Sequence, residues 1–401
     1  MRTHKKSIWV ALAATLLLVI TGCSTNQLEI FNVALKTQAA KSMQTHTTMT
    51  FQLSCTDFDP AVQPQIDQAT LFANNAKLDF NVKTNANEQK TAVQSQIDMN
   101  LALQGMNISV PIWADVDLTG NTPIITEIIK VPQIAKTSLP PKFASKDYMV
   151  ISPTTSSTSP LSSVDMTQLI NFSKTFQATE TSFLTSYSQR FNPAVNVVDN
   201  GIQNLQTDDG LKPARMYEIT LNDTQFKDFI RYTVNNFVQD QEAMNFVKTF
   251  MDSVLGFSQT PDKAKSLSDF DQAFSEFKTN RPQFLTNFNT AMDQLNDITI
   301  LGDKGLDLQY AISGGYLAQK SGSIDLKVNL AQINAFVNNL NGHPSAPITA
   351  QGNVNLMVNF KTDISSVNIP LSIQIPAVNS DNSFNNMDLM SLSTANATVS
   401  K

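Results

Sequence analysis

The chain has 401 residues, with 28 Lys and Arg against 34 Asp and Glu, a formal charge of −6, and only 15% charged residues. A chain so acidic and so sparsely charged lacks the cationic surface that releases phosphate counterions, which excludes nucleic acid as a partner. Two cysteines, Cys23 and Cys55, and three histidines exclude a disulfide-built scaffold and supply few soft metal ligands.

The first residues read as a targeting signal. Arg2, His4, Lys5 and Lys6 precede an uncharged apolar run from Ile8 to Ile20, the charged and hydrophobic regions of a secretory signal. That run is too short to cross a hydrocarbon core of about 30 Å. It ends in Ile20-Thr21-Gly22-Cys23: aliphatic, small, glycine, cysteine. These four residues resemble the lipobox of bacterial lipoproteins. The resemblance implies cleavage between Gly22 and Cys23 and transfer of diacylglycerol to the Cys23 sulfur, with palmitate-type acyl chains as the anchor. The expected organisation is a signal peptide at 1–22, a tether at 23–29, one α+β domain at 30–390 and a disordered tail at 391–401. Removal of the three cations Arg2, Lys5 and Lys6 from a chain of charge −6 leaves −9. Adhesion to anionic headgroups is then unfavourable, so attachment falls to the acyl chains, of which two suffice for stable anchoring.

Beyond the signal, an amphipathic segment at Ile30 to Met43 comes first, followed by strict alternation. Met49, Phe51, Leu53 and Cys55 alternate with Thr48, Thr50, Gln52 and Ser54, which sorts an apolar and a polar set onto opposite faces of a strand. Leu78, Phe80 and Val82 repeat the pattern, as do Val93 to Leu103 and Ile108 to Val116, with Gln104-Gly105 as the turn between them. Asn200-Gly201 and Asp209-Gly210 read as further turns before a strand carrying Tyr217, Ile219 and Leu221.

Between these blocks of strands the period changes to helical. Phe172, Phe176, Phe183 and Tyr187 form one stripe. Phe226, Phe229, Ile230, Thr233 and Phe237 form another, after an Asn222-Asp223-Thr224 start signal; Val247, Phe250, Met251 and Val254 extend it to Gly256. A last pattern runs through Phe270, Phe274 and Phe277, is expected to break near Pro282, and resumes with Phe284, Phe288, Met292 and Leu295. Strands return at Leu306 to Ile312, Ile324 to Leu330, Val354 to Phe360 and Ile369 to Ile375, with Gly314-Gly315 expected to break or bulge the first. A Ser/Thr/Pro-rich stretch at 153–163 marks a surface loop or a division into two closely packed halves. Strands, then helices, then strands predict an α+β architecture: a curved antiparallel sheet, half-barrel-like, with amphipathic helices on its apolar face.

Little catalytic chemistry is legible. His46 and His343 have no Cys, Asp or Glu at ligand spacing, so no metal site and no cofactor are expected. Ser275-Glu-Phe-Lys278, Lys320-Ser321-Gly322 and Ser380-Asp381-Asn382 each match a fragment of the serine β-lactamase signature, but the last two stand in reversed order. Asn379, Asp381, Ser383 and Asn385 have calcium-loop spacing without the glycine or the terminal glutamate.

The distinctive composition is 24 Phe against two Trp and six Tyr, concentrated in the helical segments. These rings fill a core, or else sheet and helices leave an apolar space lined by Phe51, Met99, Leu101, Val110, Phe229, Phe250 and Phe288. The lipobox, the first amphipathic helix, the long one-sided strands from THTTMTFQLS and the covering helices are together similar to lipoproteins of the LolA/LppX type. That resemblance implies a half-barrel carrying lipid in a cleft. The expected function is therefore a non-enzymatic lipoprotein, lipid-anchored on the extracytoplasmic face of the cell membrane, with a hydrophobic ligand or lipid as partner. The alternative is a structural or protein- or glycan-binding module of the cell envelope with a filled core.

Overall fold

The computed structural model describes residues 25–120, 123–152, 165–257, 262–341 and 351–389. The signal, Cys23, the 153–163 stretch, His343 and the 391–401 tail lie outside them. In chain order the elements are helix α1 (Thr25–Gln38), strand β1 (Ser42–Thr56), helix α2 (Gln63–Asn74), strands β2 (Ala76–Ala86), β3 (Ala92–Leu103), β4 (Met106–Asp117) and β5 (Ile124–Lys130), the short helices α3 (Gln133–Lys136) and α4 (Pro141–Ala144), and strand β6 (Tyr148–Ile151). Helix α5 (Met166–Ser188) leads to strands β7 (Val197–Thr207) and β8 (Gly210–Leu221) and helices α6 (Asp223–Gln239), α7 (Gln241–Gly256) and α8 (Lys263–Leu295). Strands β9 (Leu301–Ser313) and β10 (Tyr316–Asn329), helix α9 (Leu330–Asn341) and strands β11 (Asn353–Ser365) and β12 (Ser383–Asn385) complete the chain.

All twelve strands join one sheet in the order β12-β6-β5-β4-β3-β2-β1-β11-β10-β9-β8-β7, which does not close into a barrel. Every pairing is antiparallel except β12 with β6. The alternation read from the sequence is what the register obeys: Leu78 faces Met49 and Leu101, and Met99 faces Phe80 and Val110. The apolar sets thus fall on one face of the sheet.

Turn chemistry follows the same logic, with one correction. Gln104 and Gly105, at φ 46° and 83°, make the β3–β4 turn. Gly314 and Gly315, at φ 60° and 75°, break the strand as expected, forming the two-residue β9–β10 hairpin loop, where both central residues need positive φ. Asn200-Gly201 is not a turn: it sits inside β7, where the register to β8 slips between Asp199 and Ile202, so its positive φ serves a bulge. The expected strand at Ile369 to Ile375 is absent, and the segment runs without regular pairing. Pro370 and Pro376 remove donors a ladder requires. The Asn85 side chain holds Leu371 instead, accepting its N–H and donating to its carbonyl.

Two further differences concern helices. Within the expected tether, Thr25 to Glu29 are already helical and docked: Gln27 is buried and donates to the Val195 carbonyl at 2.6 Å, and the Tyr217 hydroxyl donates to Glu29 at 2.6 Å. At the other end of α1, Leu317 N–H donates to Thr37 Oγ1 and the Lys36 ammonium lies 4.2 Å from the Tyr316 ring. Helix α8 runs unbroken through Pro282. The proline forfeits one N–H, but Phe277 and Phe284, seven residues apart on one side, meet edge-on at 5.3 Å across it and keep both halves in phase.

The principal core gathers Ile30 from α1, Phe183 and Tyr187 from α5, Phe229 and Phe237 from α6 and Ala243 from α7 with Tyr217, Ile219, Leu221, Leu306, Leu308 and Ile312 from β8 and β9. Tyr217, Ile219 and Phe191 are fully buried.

Candidate functional site

The apolar face of the sheet has two regimes. Over β8 and β9 it is sealed. Over β1 to β4 and β11 it is not: Met49, Phe51, Leu53, Leu78, Phe80, Val82, Ile97, Met99, Leu101, Ile108, Val110, Ile112, Val354, Leu356 and Val358 are all only partly buried. The registers make these side chains one surface, with Phe51 opposite Val358, Leu53 opposite Leu356 and Ile97 opposite Ile112. Contiguous apolar surface that its own chain leaves partly open is where a hydrophobic partner would bind, which marks it as the candidate site.

Of the seven residues expected to line an apolar space, Phe51, Met99, Leu101 and Val110 share this face, and Met99 and Val110 stand directly opposite one another. The three phenylalanines from the helices are placed differently. Phe229 is 4% exposed inside the principal core, edge-on to Phe191. Phe250 belongs to an aromatic group between α5 and α7, 5.3 Å from Phe176 and 6.1 Å from Phe172. Phe288 pairs with Phe284 along α8. Helical spacing located these rings on stripes, and the stripes serve helix packing at least as much as the sheet.

The opposite face is polar and tightly hydrogen-bonded. Asp79 accepts from Thr48 at 2.7 Å and pairs with Lys77 and His46. Burial pushes the Asp79 carboxyl up, but the Thr48 and Lys77 hydrogen bonds and the two neighbouring cations outweigh that and hold it below the ordinary value. His46, Asp208 and Asp363 bring ligand atoms within 4.8 Å of one another, a juxtaposition that spacing in the sequence could not signal because three distant segments supply it. Both Asp363 oxygens are already engaged, one by Gln319 at 2.7 Å and one by Lys361 at 2.9 Å. A divalent cation there would compete with an ammonium already in place.

Comparison with known protein families finds no matching family, and no curated protein matches the chain.

The remaining sequence fragments do not converge. Lys320 lies on β10, whereas the Ser380 and Asp381 carbonyls accept from Lys146 near the β6–β12 edge, seven strands away in the sheet order. Asn379 Oδ1 accepts from Asp381 N–H and Asn382 N–H, so the calcium-like spacing is a self-capped loop. Beside it, Lys142, Phe143, Lys146, Val150 and Phe384 border an open depression of about 490 Å³. No helix among the described residues is long and apolar enough to cross a membrane.

Proposed function

We propose that this chain is a non-enzymatic lipoprotein, held on the extracytoplasmic face of a bacterial membrane by acylated Cys23, which binds an acyl chain on the apolar face of β1 to β4, β10 and β11. In this reading the sheet curves as a half-barrel and its helices roof the trough. One observation carries it: the same apolar face is sealed over β8 and β9 and only partly buried over β1 to β4. Water against that surface is unfavourable by about 25 cal/mol per Å², whereas an acyl chain gains about 0.8 kcal/mol for each methylene it buries. Burial of ten methylenes therefore offers about 8 kcal/mol, the scale of micromolar affinity before ordering costs. Helix α1 starts two positions after Cys23 and is pinned to the Val197 carbonyl of β7, to β8 and to β10, so the anchor holds the domain close to the bilayer.

The test is native mass spectrometry of the domain beginning at Ser24, followed by thermal denaturation with saturated fatty acids of increasing length. The expected result is a co-purifying lipid mass, or a melting temperature that climbs with chain length. Absence of any adduct together with an unchanged melting temperature across the series would overturn the reading in favour of a filled structural or interaction module.

A further inference from the structure

The apolar face carries an interruption that acyl binding alone does not explain. Registers place Tyr310, Lys320, Thr362, Thr47, Phe80, Met99 and Val110 in one cross-strand row from β9 to β4. The next row reads Leu308, Gly322, Phe360, Met49, Leu78, Leu101 and Ile108. Across β1 to β4, β10 and β11 the positions on this face are otherwise uncharged, and Lys320 is the single cation among the described residues.

Two features set Lys320 apart from a lysine that happens to reach solvent, beyond its place on the apolar face. Among the described residues it has neither an ion pair nor a hydrogen bond, as is also true of Lys83 and Lys327 on the polar face, whereas Lys77, Lys361 and Lys227 have carboxylate partners. Lys320 is exposed to water, and the protein around it lowers its pKa by desolvation. Its neighbours across the ladder are hydroxyl-bearing: Tyr310 on one side and, on the other, Thr362, whose Oγ1 lies 2.9 Å from Thr47 Oγ1.

We infer, building on the acyl-binding reading above, that the ligand is a long acyl chain ending in an anionic head group, and that Lys320, with the Thr362 and Thr47 hydroxyls, receives that head group. An unpaired ammonium partly desolvated by an apolar face gains when an anion joins it, and a charge-assisted hydrogen bond to a carboxylate or phosphate supplies the partner. The row fixes the direction of the chain: from Lys320 the tail runs over Phe80 and Met99 to Val110. Five inter-strand spacings of about 4.8 Å separate β10 from β4, roughly 24 Å along the sheet, which suits an extended chain of the palmitate class.

The experiment measures displacement of the neutral probe N-phenyl-1-naphthylamine from the domain beginning at Ser24 by palmitate, by palmitoyl lysophosphatidate and by hexadecanol. Wild type is expected to prefer at least one anionic ligand over hexadecanol by tenfold or more, and the better of the two identifies carboxylate or phosphate as the head group. Lys320→Met, which keeps the stem and removes the charge, is expected to abolish that preference while hexadecanol binds as before; Lys320→Arg is expected to keep it. If wild type binds hexadecanol as well as both anions, or Lys320→Met retains the preference, the head-group assignment falls and acyl binding stands. If the domain binds none of the three and no probe, the acyl-binding reading falls and this inference with it.

Discussion

Asp223 shows how much a single side chain can hold together. Its sequence context marks it only as part of a helix start. In the structure one oxygen accepts from the Lys227 ammonium at 2.6 Å and the other from the N–H groups of Ile300 and Leu301 at 2.8 Å each. Lys227, with 3% of its side chain exposed, also donates to the Ile298 carbonyl. Burial pushes the Asp223 carboxyl up, but the hydrogen bonds from Lys227, Leu301 and Ile300 and the nearby ammonium prevail and hold it below the ordinary aspartate value. A depressed folded-state pKa contributes stability that is fully present above the unfolded value of about 4 and is lost as pH falls through the folded value. Asp223→Ala strands a buried ammonium and two N–H groups, so a loss of about 3 to 5 kcal/mol is expected in urea denaturation at pH 7. Asp223→Asn should flatten the decline in melting temperature below pH 4 relative to wild type; an unchanged decline would assign that pH dependence to other carboxylates.

At the scale of elements, local chemistry and periodicity were legible wherever they agreed. Asn222 accepts from Gln225 N–H and Gln225 Oε1 accepts from Asn222 N–H, a complete capping box at the expected start of α6. Asn222→Ala should destabilise the domain by about 1 kcal/mol, read as a lower urea midpoint with unchanged slope. The stretches ITLNDTQFKDFI and KVNLAQINAFVNNL each pass directly from strand to helix, as β8 to α6 and β10 to α9. Failures came where a partner decides. Asn200-Gly201 supplies positive φ equally well to a hairpin or a bulge, and only the β8 register distinguishes them. Pro282 weakens a helix locally, but α8 continues through it, and Phe277 and Phe284 on either side of it meet edge-on.

At the scale of the molecule, attachment and architecture are separable. Cys23→Ser should leave the fold intact while moving the protein from the membrane fraction to the soluble extracytoplasmic fraction. Retention of the variant in membranes resistant to high-salt washing would show that something other than acylation anchors it. The architecture depends on a pairing between β1 and β11, whose register joins Gln44 to Ser365 and Thr56 to Asn353. That seam unites β1 to β6 with β7 to β10 in one sheet, and it brings Thr47 beside Thr362 and so completes the polar patch around Lys320.

The sequence by itself determined the α+β class, the sidedness of β1 to β4 and β8 to β11 and the positions of the long Phe-rich helices, because alternation and helical spacing act within a few residues of the chain. The expectation of acylation at Cys23 is likewise local, resting on the resemblance of Ile20-Thr21-Gly22-Cys23 to a lipobox. Only the tertiary structure decided which part of the apolar face is sealed and which stays partly open. It also decided that Phe229 packs in the core while Met99 and Val110 stand opposite one another, and that Lys320 stands beside Tyr310 and Thr362 on an otherwise uncharged face. Those outcomes rest on registers between strands hundreds of residues apart, and long-range pairing leaves no mark in local periodicity.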